Sequence, residues 1–501
     1  MSRRDYEQLI DHVRQTSLLS STAQLLGWDQ QVMMPRGGVE YRSRQMGMMA
    51  GLIHERSTDP RVGQWLAACE ADGELTADPS GDAAVNVREL RRSFDQATKL
   101  PCDLVEAFAR TGALSRAAWE EARRENDFSR FRPWLERMIE LCRRKASCLG
   151  WQQGGEPWDA LGDLYEPGVT AADVEALFTP LRPRLKRLKD EILGRRGSPR
   201  SAFDRMVFPA EPWRRFVQFV AEKLGFDFDR GRLDTAAHPF CCGFEPNDVR
   251  LTTRFDEQNP IEPLFSTMHE TGHGIYNQGL PVEHVGTPLG SAVSHAIHES
   301  QSRLWENLVG RRASFWTWCL PHMKKACGGA VAELSVDQAL DAVNLVRPGM
   351  IRVEADEVTY NLHIMVRFDL ERALLAGDLA VADLPEAWKN KYAALLGVDV
   401  PDDARGCLQD IHWSQGALGY FPSYAMGNLY AAQFYEKAAE EMGDLDAQFS
   451  AGSFEPLRQW LAQAIHRHGM RYRAPELCER VTGRTLSPEP FVASLEARLG
   501  G

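Results

Sequence analysis

The chain has 501 residues, 44% of them hydrophobic, and its 58 basic and 70 acidic side chains give a net charge of −12. An acidic chain without a basic block excludes nucleic-acid or anionic-membrane binding through the overall field. No apolar run reaches the roughly eighteen residues of a membrane span, and ten cysteines without a CxxC pair exclude a zinc finger or a disulfide framework.

The first residues, MSRRDYEQLIDHVRQ, open with the arginine pair Arg3 and Arg4 but have no apolar stretch behind it. They do not read as a secretory signal, and together with reduced thiols they predict a cytoplasmic protein. Tyr6, Leu9, Ile10 and Val13 form one apolar stripe at helical spacing. The same period predicts helices over 103–150, 172–195, 211–224, 290–310 and 426–443. A last stripe, Leu457, Trp460, Leu461 and Ile465, should run to Gly469. The breaks at 72–82, 194–199 and 401–403 are too short to act as flexible linkers.

One segment has a different period. NDVRLTTRF, residues 247–255, alternates and is rich in β-branched residues, so it predicts a strand. An exposed edge there would pair with an extended peptide through main-chain hydrogen bonds, or the strand would simply cover the next helix. The expected class is mostly α: a large helical body around a long cleft, with a small β element beside the helix that follows. A single domain over 1–501 is expected, with an N-terminal helical part of 1–200 and a catalytic part of 201–501 that the breaks do not clearly separate.

That next helix holds LFSTMHETGHGIYNQG. His269 and His273 lie four apart, one turn along one face, with Glu270 beside the first. Two imidazoles so placed suit a divalent metal that still needs a third protein ligand and an open position. Glu270 would be the base that takes a proton from the attacking water. Gly272 and Gly274 each cost a helix about 1 kcal/mol relative to alanine, which close backbone approach to a packed site would explain. The third ligand should come from 294–310, where His295, His298, Glu299 and Glu306 all qualify, and spacing does not choose among them.

Further motifs follow in order: HPF at 238–240, DVRLT at 248–252, HESQ at 298–301, IRVEAD at 351–356, GCLQDIHW at 406–413 and GYFPSY at 419–424. GWDQQVMMPRGG precedes them at 27–38. With HETGH, this series resembles the carboxypeptidase Taq family (peptidase family M32). The resemblance implies a zinc-dependent metallocarboxypeptidase of helical zinc-peptidase architecture, forming a homodimer. It implies His269, His273 and Glu299 as metal ligands and Glu270 as general base and acid. It also implies Arg352 as the grip on the free C-terminal carboxylate of a peptide, a role suited to a planar guanidinium fork.

His412 and Tyr420 are candidates for hydrogen-bonding the oxyanion, with Tyr424 as a competitor. Arg250 and His238 are second-rank candidates for substrate contact, Arg250 alternatively holding its strand in place. Without the motif, Arg352 would be expected to pair with Glu354 or Asp356. Two histidines and one carboxylate also accept Co2+ or Mn2+. The alternative activity is that of a helical zinc oligopeptidase cutting internally or releasing dipeptides. A protein that only binds metal or peptide would have no use for Glu270. Cys241 and Cys242, after HPF, are read as inert small hydrophobes.

Overall fold

The structure, a computed structural model, describes residues 2–196, 201–255, 259 and 261–500. Helices dominate, and the sheet among the described residues has three strands, as the mostly α expectation required. No helix among the described residues is long and apolar enough to cross a membrane.

The N-terminal stripe belongs to a helix over Ser2–Val32. The segment 103–150 is two helices, Cys102–Glu125 and Phe128–Leu149. Asn126 ends the first with φ 54°, a left-handed conformation that asparagine tolerates better than most residues. Asp127 then caps the second by accepting from the Ser129 N–H. The last stripe ends earlier than expected, at Ala464, and Gly469 lies in a following 3-10 segment with φ 50°. A side chain at Gly469 would collide with the Leu289 carbonyl. The segment 290–310 becomes a helix, His295–Arg303, capped by Ser294, and runs on into a π-helical stretch over Leu304–Val309.

The fold comprises two compact units. The first is Met1–Thr98, Arg200–Val343 and Ala431–Thr485; the second is Lys99–Pro199, Asn344–Tyr430 and Leu486–Gly501.

The first unit contains the sheet, β1 (Gly231–Thr235), β2 (Cys241–Glu245) and β3 (Asp248–Thr253), in the order β1-β3-β2. The predicted strand is β3, and it is central: β1 pairs with it in parallel and β2 antiparallel. An edge role for it is therefore ruled out, because neighbours take both of its ladders. Val249 and Leu251 on β3 are fully buried. The strand covers the helix Glu262–Gly279, the alternative the sequence allowed. Trp28, from the N-terminal helix, lies under two guanidiniums in register on adjacent strands, Arg250 at 4.3 Å and Arg232 at 5.2 Å from the ring. Such stacking is worth about 0.5–2 kcal/mol each.

In the second unit the helix Glu357–Ala376 is buried on nearly every side, as expected of a central helix. Asp356 caps it, accepting from the Val358 and Thr359 N–H groups. It carries His363, Arg367 and Glu371, each with no exposed surface.

Candidate active site

The helix Glu262–Gly279 presents His269 and His273 one turn apart, and the helix His295–Arg303 crosses it with Glu299. The close crossing depends on Gly272. A Cβ there would lie 2.6 Å from the Ser302 Cα and would collide with the Gln301 carbonyl, so no larger residue fits. On the other face a Cβ at Gly274 would lie 2.8 Å from the Leu251 side chain on β3. The two glycines let one helix pack directly against a second helix and a sheet.

Ligand atoms of His269, His273 and Glu299 lie within 4.8 Å of one another. Glu299 Oε2 is 3.6 Å from His269 Nε2 and 3.4 Å from His273 Nε2. Bonds of about 2.0–2.2 Å in a tetrahedron give ligand–ligand edges of about 3.3–3.6 Å. Two imidazole nitrogens and one carboxylate oxygen at this spacing fit a four-coordinate divalent cation with one position open. Glu270 is buried on the same helix.

The remaining atoms of the ligands are held by partners. His269 Nδ1 lies 2.8 Å from Glu306 Oε2, and His273 Nδ1 lies 2.6 Å from His298 Nδ1. Arg303 donates to both acids, to Glu299 Oε1 at 2.7 Å and Glu306 Oε2 at 3.1 Å. Of the four residues the sequence left open in 294–310, Glu299 faces both histidines, while Glu306 and His298 stand behind one each. Ring and acid partners of this kind set the orientation and tautomer of metal-binding histidines. The π-helical stretch that carries Glu306 is a feature often found at functional sites.

Burial alone would raise the Glu299 carboxyl, but Arg303 and the two imidazoles outweigh it and hold it well below the ordinary range. Burial is likewise overcome at Glu306 by Arg303 and His269, which bring it to about 2. Glu270 goes the other way: burial raises it, and His269 and His273 offset that only in part. Burial, with the neighbouring imidazoles adding to it, pushes His298 well down, so its ring is neutral. The site therefore combines two firmly ionised acids with a third carboxyl of heightened basicity.

The second unit holds its own polar cluster. Arg352 is only 6% exposed. Its Nε and Nη2 donate to Asp410 Oδ1 at 3.0 and 2.9 Å, and Nη1 donates to the Tyr360 hydroxyl at 3.3 Å. Its ion-pair partner is thus Asp410, within GCLQDIHW, not Glu354 or Asp356; Asp356 is engaged as a helix cap. Arg367 Nε donates to the other oxygen of Asp410 at 2.7 Å. Two guanidiniums share one carboxylate, which leaves one positive charge in excess. Burial would raise Asp410, yet the two arginines hold it far below the usual range.

The faces of Phe421 and Tyr424 lie 5.4 and 5.1 Å from the Arg352 guanidinium. His412 stacks on Tyr420 at 5.6 Å and meets Tyr424 edge-on at 6.4 Å. Burial, with Arg352 and Arg367 adding to it, brings His412 down to about 4 despite Asp410, so its ring is neutral at neutral pH. Its Nδ1 is buried without a hydrogen-bond partner among the described residues.

The loop joining His412 to Tyr420 is pinned by Glu371. That carboxylate accepts from Trp158 Nε1, Trp413 Nε1 and the Gly419 N–H at 3.2, 2.8 and 3.0 Å. Gly419, with φ 91°, abuts the Gly162 backbone, where a Cβ would lie 2.7 Å from the nitrogen.

Among the described residues, Arg250 and His238 make no hydrogen bond or ion pair with either cluster. Arg250 makes two bonds to Asp248, at 2.9 and 3.0 Å, and stacks on Trp28, which ties β3 to the N-terminal helix. His238 is exposed in the turn between β1 and β2. The partners that sequence reasoning did not single out are Arg303, Asp410, Arg367 and Glu371. Asp410 lies inside a quoted motif, and Arg303 stands at helical spacing from both Glu299 and Glu306; Arg367 and Glu371 carry no local signal.

The chain matches the family model for carboxypeptidase Taq (M32) metallopeptidases over residues 8–499. It is 46% identical over 500 residues to thermostable carboxypeptidase 1 of Thermus thermophilus, covering 98% of each chain. It is 36% identical over 481 residues to carboxypeptidase 1 of Bacillus subtilis, covering 96% of this chain and 95% of the relative. The crystal structure of an M32 carboxypeptidase from Deinococcus radiodurans R1 superposes with a TM-score of 0.95 at 40% identity, over 99% of both chains. A metal-competent HETGH helix in a chain so matched from end to end leads to one assignment: the protein belongs to the carboxypeptidase Taq (M32) family of metallopeptidases, enzymes that hydrolyse peptides.

Proposed function

We propose that this protein is a zinc-dependent metallocarboxypeptidase that removes C-terminal residues from peptides with broad specificity. Residues 1–501 act as one catalytic domain, in the cytoplasm and as a homodimer. The observation that carries this reading is the convergence of His269, His273 and Glu299 within 4.8 Å, with Glu270 buried on the same helix. Zinc held by those three side chains, or Co2+ or Mn2+ in its place, supplies a Lewis acid that polarises the scissile carbonyl and acidifies water.

The protein's own groups do the rest. Glu270, made more basic by burial, takes the proton of the attacking water and returns it to the leaving amine. Arg352, with Arg367 beside it and Asp410 shared between them, offers the positive charge that a C-terminal carboxylate neutralises. Neutral His412 and the Tyr420 hydroxyl donate to the developing oxyanion, with Tyr424 beside them; one such donor is worth about 3–4 kcal/mol of barrier. His238, exposed in its turn, contacts substrate, and Arg250 serves substrate binding by holding β3 on Trp28.

The test is digestion of mixed peptides by the zinc-loaded protein, read by mass spectrometry. Free-acid peptides should shorten stepwise from the C-terminal end, and their C-terminal amides should resist. Equal cleavage of the amides, or fragments cut internally, would replace this proposal with the oligopeptidase alternative.

A further inference from the structure

Behind His273 lies a chain of hydrogen bonds that ends at two side chains with no obvious business at a metal site. His273 Nδ1 is 2.6 Å from His298 Nδ1, His298 Nε2 is 3.1 Å from Asn277 Oδ1, and Asn277 Nδ2 is 3.6 Å from Cys241 Sγ on β2. Asn277 lies on the same helix as His273, one turn further on. Its side chain is boxed in, because a Cβ at Gly243 would come within 3.0 Å of its amide carbon.

Each contact in this chain needs one proton, and the direction of all of them follows from Asn277. Its Oδ1 can only accept, so His298 Nε2 carries hydrogen. A neutral His298 then has a bare Nδ1, which must accept from His273. His273 therefore holds its hydrogen on Nδ1 and leaves Nε2, the nitrogen that faces Glu299, with a free lone pair. With the Asn277 amide reversed, each proton would move one place. Nε2 of His273 would then carry hydrogen and could not ligate a cation.

We infer that Asn277, acting through His298, is a positioning residue that sets the tautomer of His273 and so makes the site able to bind a metal ion. The inference rests on the ligand reading given above. Cys241 has a place in it as the sulfur toward which the amide nitrogen turns, which gives one member of the Cys241–Cys242 pair a structural role.

The test measures the dissociation constant of Zn2+ alone, by competition with a chromogenic chelator, and the visible d–d spectrum of the Co2+-loaded protein. Asn277→Leu keeps the volume but removes the acceptor. It should weaken Zn2+ binding about 10–100-fold, the usual effect of losing a partner behind a metal ligand, and should change the Co2+ spectrum. Asn277→Asp, whose carboxylate can only accept, and His298→Gln, whose carbonyl can accept from His273, should stay within about threefold of the wild type, on the same scale. His298→Ala should fall with Asn277→Leu. Wild-type binding with Asn277→Leu unchanged in affinity and spectrum would overturn this inference alone. Equal losses in Asn277→Leu and Asn277→Asp would overturn it too, since the cause would then be packing. A wild-type protein that takes up neither ion would overturn the ligand reading along with it.

Discussion

At the scale of single residues, Glu270 and Arg352 separate chemistry from recognition. Glu270→Gln keeps the shape of the helix and removes the base, so kcat should fall about 10²–10⁴-fold; metal content measured on the same sample should be unchanged. Arg352→Lys keeps the charge and loses the fork, and a point charge cannot serve Asp410 and an incoming carboxylate with the same geometry. A drop of about 10–100-fold in kcat/KM is expected on the scale of charge-assisted hydrogen bonds, with C-terminal amides unaffected; an equal loss on amides would deny Arg352 the carboxylate role. The HETGH residues were legible because helical spacing alone puts both rings on one face. The partner of Arg352 was not, since Asp410 is 58 residues away and only the folded chain brings it near. Arg367 was hidden further, on a helix buried so completely that it has no polar stripe to read.

At the scale of elements, the helix crossing at Gly272 is the most sensitive joint. Gly272→Ala forces the two ligand-bearing helices apart, and overpacking of this kind costs about 1–3 kcal/mol. Thermal unfolding should show that loss, together with weaker metal uptake, because Glu299 moves with its helix. The strand β3 was legible from its alternation and β-branched residues. β1 and β2 were not, because GRLDT and CCGFE contain glycine and charged residues with little strand preference. The break at Asn126 was missed for a related reason: both flanking segments favour helix, and one left-handed residue separates them.

Glu371 gives the loop from His412 to Tyr420 a dependence on pH. Burial raises its carboxyl from 4.5 to about 7, the three N–H donors notwithstanding. A raised acid contributes stability that is fully present below its ordinary value and is lost as pH climbs through its folded value. The protein should therefore lose as much as about 3 kcal/mol between pH 5 and 8 from this group. Glu371→Gln should flatten that part of the profile in denaturant titrations; an unaltered slope would assign the dependence elsewhere.

At the scale of the whole molecule, the metal ion should act as a fastener. An ion present at about a hundred times its dissociation constant adds about 2.7 kcal/mol to the native state. For a chain of 501 residues this is about 2–3 °C in Tm, which EDTA should remove and Zn2+ restore. The class of fold was readable from periodicity because most of the mass is helix. The division into units was legible at one border alone, residue 199, which falls in the break at 194–199; nothing in local composition marks residues 98, 343, 430 or 485.

Each unit is assembled from three separate stretches of chain. A fragment beginning at residue 200 would hold every metal ligand but would lack the first 98 residues of the same unit, and with them Trp28, leaving Arg232 and Arg250 without the ring they stack on. A single cut in the chain therefore releases neither unit intact, whether made by a protease or by splitting the gene.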